Sequence, residues 1–278
     1  MLPRAPKQVW LVITAVFGFW AFYIWLLSPL LPHSWLSYST RPLWDTTEKP
    51  SQLVYHSGEG HDGCQAYGFQ ERKHQPRVWD VTIFSTELDL LLIRLHELDS
   101  VVDRFYILES DFTFTGLPKN VSLESALETS DFLPFKDKIR YQLYRGRPLK
   151  TGENPFSQEN AMRYKMTTIL QQDMKEEAQA PVMIFSDVDE IPRGSTISLL
   201  RKCDFGVCLH LEMREYLYSF EFPEGGEPSS WRASANQWKP GSDESQWFYR
   251  HGKQTERILA NSGWHCSYVF LQNLLRAD

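Results

Sequence analysis

The feature that most constrains the architecture of this chain is a run of 19 residues without a charged side chain, residues 9–27 (VWLVITAVFGFWAFYIWLL). As a helix rising about 1.5 Å per residue, the run spans roughly 28 Å, close to the hydrocarbon thickness of a bilayer. Arg4 and Lys7 precede it, and the next cation after it is Arg41. Because cations favour the cytosolic side, we predict a single-pass type II membrane protein with residues 1–8 in the cytosol.

Two other interpretations of the apolar run compete with an uncleaved signal anchor. A cleaved signal peptide usually has a shorter apolar core and a small-residue cleavage site, and the sequence offers neither clearly. A buried helix of a soluble domain rarely lacks a polar face over five turns. We therefore expect the run to be a transmembrane anchor and the rest of the chain to lie in the lumen.

The luminal part divides into a predicted stem and a predicted catalytic domain. Residues 28–76 are rich in Pro, Ser, His and Gly and show no sustained periodicity. Such composition is typical of a stem that holds a domain away from the membrane. Residues 77–278 form the predicted catalytic domain.

An oxidising lumen affects how the cysteines and one asparagine are interpreted. The cysteines are Cys64, Cys203, Cys208 and Cys266. Disulfides persist in this compartment, and four cysteines allow three pairings, among which the sequence does not choose. Asn120, in Asn-Val-Ser, is a predicted glycosylation site, with an unused surface turn as the competing interpretation.

Strands and helices alternate along the predicted catalytic domain. The 278 residues are 42% hydrophobic and 23% charged with a net charge of -6, which excludes a disordered chain and argues against a nucleic-acid partner. Thr86 and Asp89 resemble a capping box and predict a helix that starts at Thr86. The spacing of apolar residues predicts strand 78–84, that helix, strand 104–109, helix 157–173, strand 181–186, helix 196–202 and strand 206–213. This order predicts an α/β fold with a mostly parallel, layered sheet.

Acidic residues follow directly on the short apolar strand 181–186. Asp187 and Asp189 are two residues apart, so both carboxylates can face one point in an extended turn, while Val188 points away. Like charges held this close favour a cation, and carboxylate oxygens suit Mg²⁺ or Mn²⁺ bound to a diphosphate. The competing interpretation is a helix N-terminus decorated with acids. In a luminal protein, an acidic turn after a buried strand favours a nucleotide-sugar transferase.

Three sequence blocks carry a resemblance to a known family. They are residues 87–119 (ELDLLLIRLHELDSVVDRFYILESDFTFTGLPK), 185–193 (FSDVDEIPR) and 259–270 (LANSGWHCSYVF). Over about residues 77–270 the chain resembles glycosyltransferase family 17, the bisecting N-acetylglucosaminyltransferase family. The resemblance implies a GT-A-like, metal-dependent, inverting enzyme of the Golgi membrane. It also implies UDP-GlcNAc as the donor and the 4-hydroxyl of the core β-mannose of glycoprotein N-glycans as the acceptor.

The acidic turn and one histidine supply the predicted metal site. We expect Asp187 and Asp189 to hold the ion and the diphosphate, with Glu190 as a further ligand or an orienting group of the nucleotide site. His265 lies in a block that matches the family and is a candidate ligand, because imidazole binds Mn²⁺. A structural histidine packed beside Trp264 is the competing interpretation.

Four further side chains are candidates for substrate contact or proton transfer. Glu109, at the end of the second predicted strand, is expected to contact the nucleotide, or else to be a solvated strand end. Arg163 faces the diphosphate or braces its helix by pairing with Glu159 four residues earlier. Glu212 and Glu215 are the candidate catalytic bases, with ordinary ion pairs on a partly exposed strand as the alternative.

The leading functional hypothesis is this glycosyltransferase activity, and two alternatives remain. One is a catalytically silent, membrane-anchored family member that binds a glycan or a nucleotide sugar. The other is a metal-dependent luminal hydrolase, which ranks last because the sequence has no HExxH-type cluster. The sequence ends at Asp278, soon after the third block, whereas the resemblance implies a longer stretch beyond that block. The domain is therefore expected to be a short, truncated or inactive version of the family domain.

Overall fold

The structure is a computed structural model that describes residues 18–20, 22, 49–55, 63–154, 156–217, 219–223, 230–238 and 247–267. Within these residues, no helix has both the length and the apolar character needed to cross a bilayer. Most of the predicted anchor at residues 9–27 lies outside the described part of the chain. The anchor, the type II topology and the residue 1–8 tail therefore stay predictions.

Eleven strands are described, and nine of them form one sheet. They are β1 (Gln52–Val54), β2 (Gln70–Glu71), β3 (Val78–Phe84), β4 (Arg104–Ser110), β5 (Ile139–Tyr144), β6 (Val182–Phe185), β7 (Glu190–Pro192), β8 (Cys203–Asp204), β9 (Cys208–Leu217), β10 (Ser234–Asn236) and β11 (Arg257–Ser267). The large sheet has the order β1-β11-β9-β10-β6-β3-β4-β5, with β7 paired to β11, and β2 pairs with β8 separately.

Two parallel groups of strands make up the large sheet. Strands β6, β3, β4 and β5 are mutually parallel, and so are β9, β11 and β1. Strand β10 joins the groups because it runs antiparallel to both β6 and β9. The predicted α/β class with a mostly parallel sheet is confirmed, and the antiparallel strands β7 and β10 were not predicted.

Helices cover both faces of the sheet. They are α1 (Leu88–Leu98), α2 (Leu123–Ala126), α3 (Ser157–Asp173) and α4 (Gly194–Lys202). Apolar side chains of α1, α2 and α4 share one core with one face of the sheet, and those of α3 share a second core with the other face. All seven residues of β3 are buried, as a strand covered on both faces requires.

Two predicted helix starts are wrong by two residues, and one of them is that of α4, which begins at Gly194 rather than at residue 196. Helix α1 begins at Leu88 rather than at Thr86, and its N-cap is Glu87. The Glu87 carboxylate accepts the backbone N–H groups of Ser85 and Thr86, so the acid folds back on the preceding turn. The capping box predicted from Thr86 and Asp89 is absent, since α1 has no side-chain cap hydrogen bond.

Parts of the predicted stem are built into the folded domain. Within residues 49–55, strand β1 pairs in parallel with β11. Within residues 63–76, Cys64 forms a disulfide with Cys203, one of the three pairings that the sequence left open. The remaining cysteines, Cys208 and Cys266, are free thiols. The folded domain therefore includes residues on the N-terminal side of position 77.

Candidate functional site

The acidic residues predicted from the sequence form a tight turn at the carboxyl end of β6. The backbone N–H of Glu190 donates to the carbonyl of Asp187 at 3.0 Å. In return, the backbone N–H of Asp187 donates to Oε2 of Glu190 at 3.1 Å. These two bonds close the turn between β6 and β7. Strands β3, β4, β6, β9 and β11 end at the same edge of the sheet, where ligands of open α/β sheets bind.

Asp187, Glu190 and His251 form a cluster of potential metal ligands at this edge. One ligand atom from each residue lies within 4.8 Å of the others. Nε2 of His251 is 2.8 Å from Oε2 of Glu190 and 3.5 Å from Oδ2 of Asp187. Sequence reasoning missed His251, because it lies in a loop with no motif around it. It reaches the turn only through the tertiary fold.

The cluster is electrostatically balanced by cations. Burial is the largest single influence and disfavours the charged carboxylates, but His251 acts together with Arg163 at Asp187 and with His265 at Glu190, and the combined positive charges and hydrogen bonds hold both pKa values below their usual ranges. Burial likewise opposes protonation of His251, but the charges of Asp187 and Glu190 raise its pKa above the ordinary value. Ser230 completes the set by donating from Oγ to the other Glu190 oxygen, Oε1, at 2.9 Å.

Arg163 of α3 contacts the cluster from the side of the second core. One guanidinium nitrogen, Nη2, lies 3.0 Å from Oδ1 of Asp187 and 2.8 Å from Oε1 of Glu159. The guanidinium lies over the ring of Tyr249, 4.7 Å from the ring centroid. The other terminal nitrogen, Nη1, is buried and has no hydrogen-bond partner among the residues that the structure describes. The side chain thus braces α3, as one prediction held, and also has an unused donor beside the acidic turn.

Arg94 of α1 supports the acidic turn from the opposite core. Its side chain is fully buried and donates to both carboxylate oxygens of Asp80, at 2.7 and 2.6 Å. The same guanidinium donates to the backbone carbonyls of Asp187 at 2.9 Å and Glu190 at 2.8 Å. A fully paired, buried arginine therefore fixes the backbone that carries the candidate ligands.

Asp189 lies in a second, more accessible group with His265 and Glu215. Nε2 of His265 is 3.3 Å from Oδ2 of Asp189, and Nδ1 of His265 is 3.9 Å from Oε1 of Glu215. Burial opposes protonation of His265, but its hydrogen bond to Asp189 and the negative charge there raise its pKa to about 9. The structure thus brings together the predicted residues Asp189, His265 and Glu215. It groups Asp187 with Glu190 and His251 instead.

Strand register explains how His265 reaches both groups. On β11, His265 pairs with Glu190 of β7 on one side and with Glu215 of β9 on the other. A Cβ at Gly263 would lie 2.3 Å from the carbonyl oxygen of Ile191, so only glycine allows β7 to approach β11 this closely. Asn261, at a φ of 52°, lies in the register shift that precedes this segment.

The two candidate bases lie on opposite faces of β9. Because strand side chains alternate, Glu212 and Glu215, three residues apart, point to different faces. Glu215 contacts His265, whereas Oε1 of Glu212 accepts a hydrogen bond from Nζ of Lys49 at 2.7 Å. Only Glu215 is therefore in contact with the Asp189–His265 pair, and both acids remain predictions as bases.

Glu109 is fully buried and already engaged by protein donors. Its Oε1 accepts from Nζ of Lys119 at 3.2 Å and from the backbone N–H of Ser122 at 2.8 Å. Its Oε2 accepts from the hydroxyl of Tyr141 at 3.0 Å and from the backbone N–H of Leu123 at 3.2 Å. The structure places this carboxylate at the N-terminus of α2, where it is not a solvated strand end. Its predicted contact with a nucleotide stays a prediction.

Asn120, the predicted glycosylation site, is exposed in the loop before α2. Its position leaves the side chain accessible from solvent. Glycosylation there stays a prediction.

The charged side chains at the carboxyl ends of the strands indicate the class of protein. An α/β sheet with carboxylates, imidazoles and a buried arginine at the carboxyl ends of its strands is an arrangement suited to a charged ligand. The family profile of Glycosyltransferase family 17 matches residues 7–274. The chain therefore belongs to glycosyltransferase family 17, as the three sequence blocks predicted.

Curated relatives agree with this family assignment. The chain is similar to the beta-1,4-mannosyl-glycoprotein 4-beta-N-acetylglucosaminyltransferase of Homo sapiens, with 26% identity in an alignment of length 217 that covers 70% of this chain and 41% of that protein. The protein of the same name from Rattus norvegicus is also 26% identical, over 70% of this chain and 40% of that protein. The chain spans about two fifths of the length of these relatives.

The donor set at the turn fits a divalent cation. Two carboxylates and an imidazole, from Asp187, Glu190 and His251, match the ligands that Mn²⁺ accepts. The side chain of Asp187 is 34% exposed and that of Asp189 33%, so solvent reaches both from the open edge of the sheet. The fit rests on ligand chemistry and on the spacing of the ligand atoms.

Proposed function

We propose that this chain is an inverting glycosyltransferase that moves GlcNAc from UDP-GlcNAc to the 4-hydroxyl of the core β-mannose of N-glycans. We further propose that it acts in the Golgi lumen as a single-pass type II membrane protein. The observation that carries the proposal is the presence of two clusters at the carboxyl edge of the sheet. One contains Glu190 and His251, and the other contains Asp189 and His265. Family membership supports glycosyl transfer, and the names of the similar proteins supply the transferred sugar, N-acetylglucosamine, and a mannosyl-glycoprotein acceptor.

The donor site in this proposal is the acidic turn with Arg163. Asp187, Glu190 and His251 would hold the divalent cation, with Asp189 and His265 on its accessible side. The cation would stabilise the negative charge of the departing diphosphate. The unused Nη1 of Arg163 is buried beside Asp187 and can donate to a phosphate oxygen.

In this proposal, a carboxylate on β9 accepts the proton of the acceptor hydroxyl. The acceptor hydroxyl oxygen forms a bond to the anomeric carbon while the bond from that carbon to the UDP oxygen breaks. The hydroxyl proton then goes to a carboxylate, for which Glu215 is the better placed candidate because it contacts His265. This contact connects the candidate base to Asp189 through a single imidazole.

The test is sugar transfer by the full-length chain in detergent micelles. UDP-GlcNAc and a biantennary N-glycan are supplied with Mn²⁺, with a chelator, and with the variant Asp189→Ala. We expect product only with the metal and the wild-type acid, with the new linkage mapped to the 4-position of the β-mannose. Asp131→Ala, at an exposed aspartate outside the site, is the matched control and is expected to keep activity.

One observation favours a second candidate, a silent family member that binds a glycan or a nucleotide sugar. The carboxylates of Asp187 and Glu190 are already paired with Arg163 and His251, so the cluster is charge-balanced without an ion. A folded wild-type chain that binds UDP-GlcNAc but transfers no sugar to any N-glycan acceptor would establish this alternative. Transfer to a different position would instead correct the acceptor.

A further inference from the structure

The N-terminal segment at residues 49–55 is attached to the sheet at several points. Strand β1 pairs in parallel with β11, matching Gln52 to Arg257 and Val54 to Leu259. Ser51 donates to the Glu256 carboxylate from its backbone N–H at 3.1 Å and from Oγ at 3.0 Å. The segment is therefore an edge strand of the catalytic sheet, although its composition is that of a stem.

Lys49 extends this attachment from β11 to β9. Its Nζ lies 2.7 Å from Oε1 of Glu212, and the side chains are 33% and 8% exposed. The pair therefore joins residues 163 positions apart at a partly buried point, where the carboxylate is the more buried partner. Because a carboxylate in such a place is costly without a cation, removal of Lys49 would leave Glu212 poorly compensated.

The attached strands are those that carry the proposed chemistry. Strand β9 holds Glu215, and β11 holds His265 opposite it. Strand β1 lies on the outer side of β11, and Lys49 reaches past β11 to β9. The segment thus spans both strands on which the Glu215–His265 contact depends.

We propose that the Lys49–Glu212 ion pair is a clasp that holds β9 and β11 together, so that Glu212 is a positioning residue and Glu215 is the acid placed for proton transfer. This inference rests on the proposed function where activity is the readout. The structural part of the inference, the clasp, depends only on the Lys49–Glu212 contact and on the pairing of β1 with β11. It assigns the first residues of the described N-terminal segment to the catalytic domain as a functional element.

Single variants of Lys49 test whether the ion pair stabilises the fold and supports catalysis. In the full-length chain, Lys49→Met is expected to lower the Tm by about 4 °C or more, since it removes the cation paired with the Glu212 carboxylate, which is only 8% exposed. The same variant is expected to lower kcat several-fold with little change in KM for UDP-GlcNAc, because β1 pairs with residues 257–259 of β11 and not with residues 263–265, which pair with β7 at the proposed donor site. The conservative variant Lys49→Arg keeps the positive charge and is expected to keep kcat and Tm near the wild-type values.

The decisive variant combines Lys49→Glu with Glu212→Lys. A clasp is restored by this exchange, so both Tm and transfer should recover most of the loss seen in Glu212→Lys alone. A catalytic base is not restored, because a protonated lysine cannot accept the hydroxyl proton. Lys136→Met, which breaks an exposed pair with Glu128, is the matched control and should change neither quantity appreciably.

The outcomes distinguish the clasp from the proposed function. Recovery of Tm without recovery of transfer would overturn the positioning role and return Glu212 to the list of bases. No loss of Tm in Lys49→Met would overturn the clasp itself. A wild-type chain without transfer activity would defeat the proposed function, while the Tm measurements would still decide the clasp.

Discussion

Nε2 of His251 lies 2.8 Å from Oε2 of Glu190, which joins a loop before β11 to the turn after β6. Glu190 is 2% exposed, and its other oxygen is held by Ser230. Neither residue of this pair belongs to the Asp187–Asp189 motif that dominates the sequence. The centre of the candidate metal site is therefore a tertiary contact beside that motif.

His251→Ala is expected to weaken Mn²⁺ binding by about 10-fold or more, since even outer-shell partners of a metal contribute about 10- to 100-fold. The measurement is a titration of Mn²⁺ followed by electron paramagnetic resonance of the free ion. The exposed His74→Ala serves as the control and should bind Mn²⁺ as the wild type does. Unchanged affinity in His251→Ala with lost affinity in His265→Ala would move the ion to the Asp189–His265 pair.

Arg94→Met is expected to destabilise the fold by about 3–5 kcal/mol, because it leaves the buried carboxylate of Asp80 without its partner. Urea unfolding of the variant and of the wild type measures this difference. The double variant Arg94→Met/Asp80→Leu removes both charges and should recover part of the loss. A single variant as stable as the wild type would show that Arg94 does not hold the acidic turn.

Gly263→Ala is expected to separate β7 from β11, since a Cβ there would lie 2.3 Å from the Ile191 carbonyl oxygen. The cost is about 1–3 kcal/mol, as for other cases of forced overpacking. Thermal unfolding measures the stability, and transfer activity should fall with it because His265 moves away from Glu190. Gly252→Ala, which has no atom within 4 Å of an added Cβ, should be tolerated.

The stability of the fold is expected to fall on mild acidification because of His210. Burial lowers the pKa of this imidazole from 6.5 to about 4, and its Nε2 accepts the backbone N–H of Gln254 at 3.0 Å. Between these two values the unfolded chain takes up a proton that the folded chain refuses, so the free energy of unfolding decreases as the pH falls. The contribution is at most about 3–4 kcal/mol, since one pKa unit corresponds to about 1.36 kcal/mol.

Urea unfolding at several pH values between 7 and 4 tests the role of His210. Because other groups titrate in the same range, the informative quantity is the difference between the wild type and His210→Gln. The variant should lose less stability on acidification than the wild type. Equal pH slopes in the two proteins would contradict the prediction.

Replacement of Cys64 by Ala is expected to cost about 2–5 kcal/mol, since the disulfide closes a long loop in the unfolded chain. Its partner, Cys203, is 139 residues away. Peptide mapping without reduction should recover the Cys64–Cys203 pair from wild-type protein, with Cys208 and Cys266 alkylated as free thiols. Recovery of any other pair would contradict the structure.

The sequence predicts those parts of the fold that depend on local pattern. Strand β3 and helix α3 have the predicted bounds, because their apolar spacing is regular and both lie against the core. Strand β1 was assigned to a stem, since three residues of an edge strand show no usable periodicity. Its place in the sheet depends on β11, about 200 residues further on, by their pairing.

The candidate site was predictable to the extent that it is contiguous. Asp187, Asp189 and Glu190 were identified from a single turn after a buried strand. The division of these acids between His251 and His265 follows from the loop before β11 and from the register of β7, β9 and β11. Spacing along the chain carries no information about such contacts.

The position of β11 in the sheet has a consequence for biosynthesis. This strand pairs with β1, which lies about 200 residues earlier in the chain, with β7 and with β9. Synthesis proceeds from the N-terminus, so β1, β7 and the end of β9 lack this partner strand until residues 257–267 have been synthesised. The Asp189–His265–Glu215 group therefore forms only after β11 has been synthesised, and a nascent chain that ends before β11 carries the acidic turn without His265.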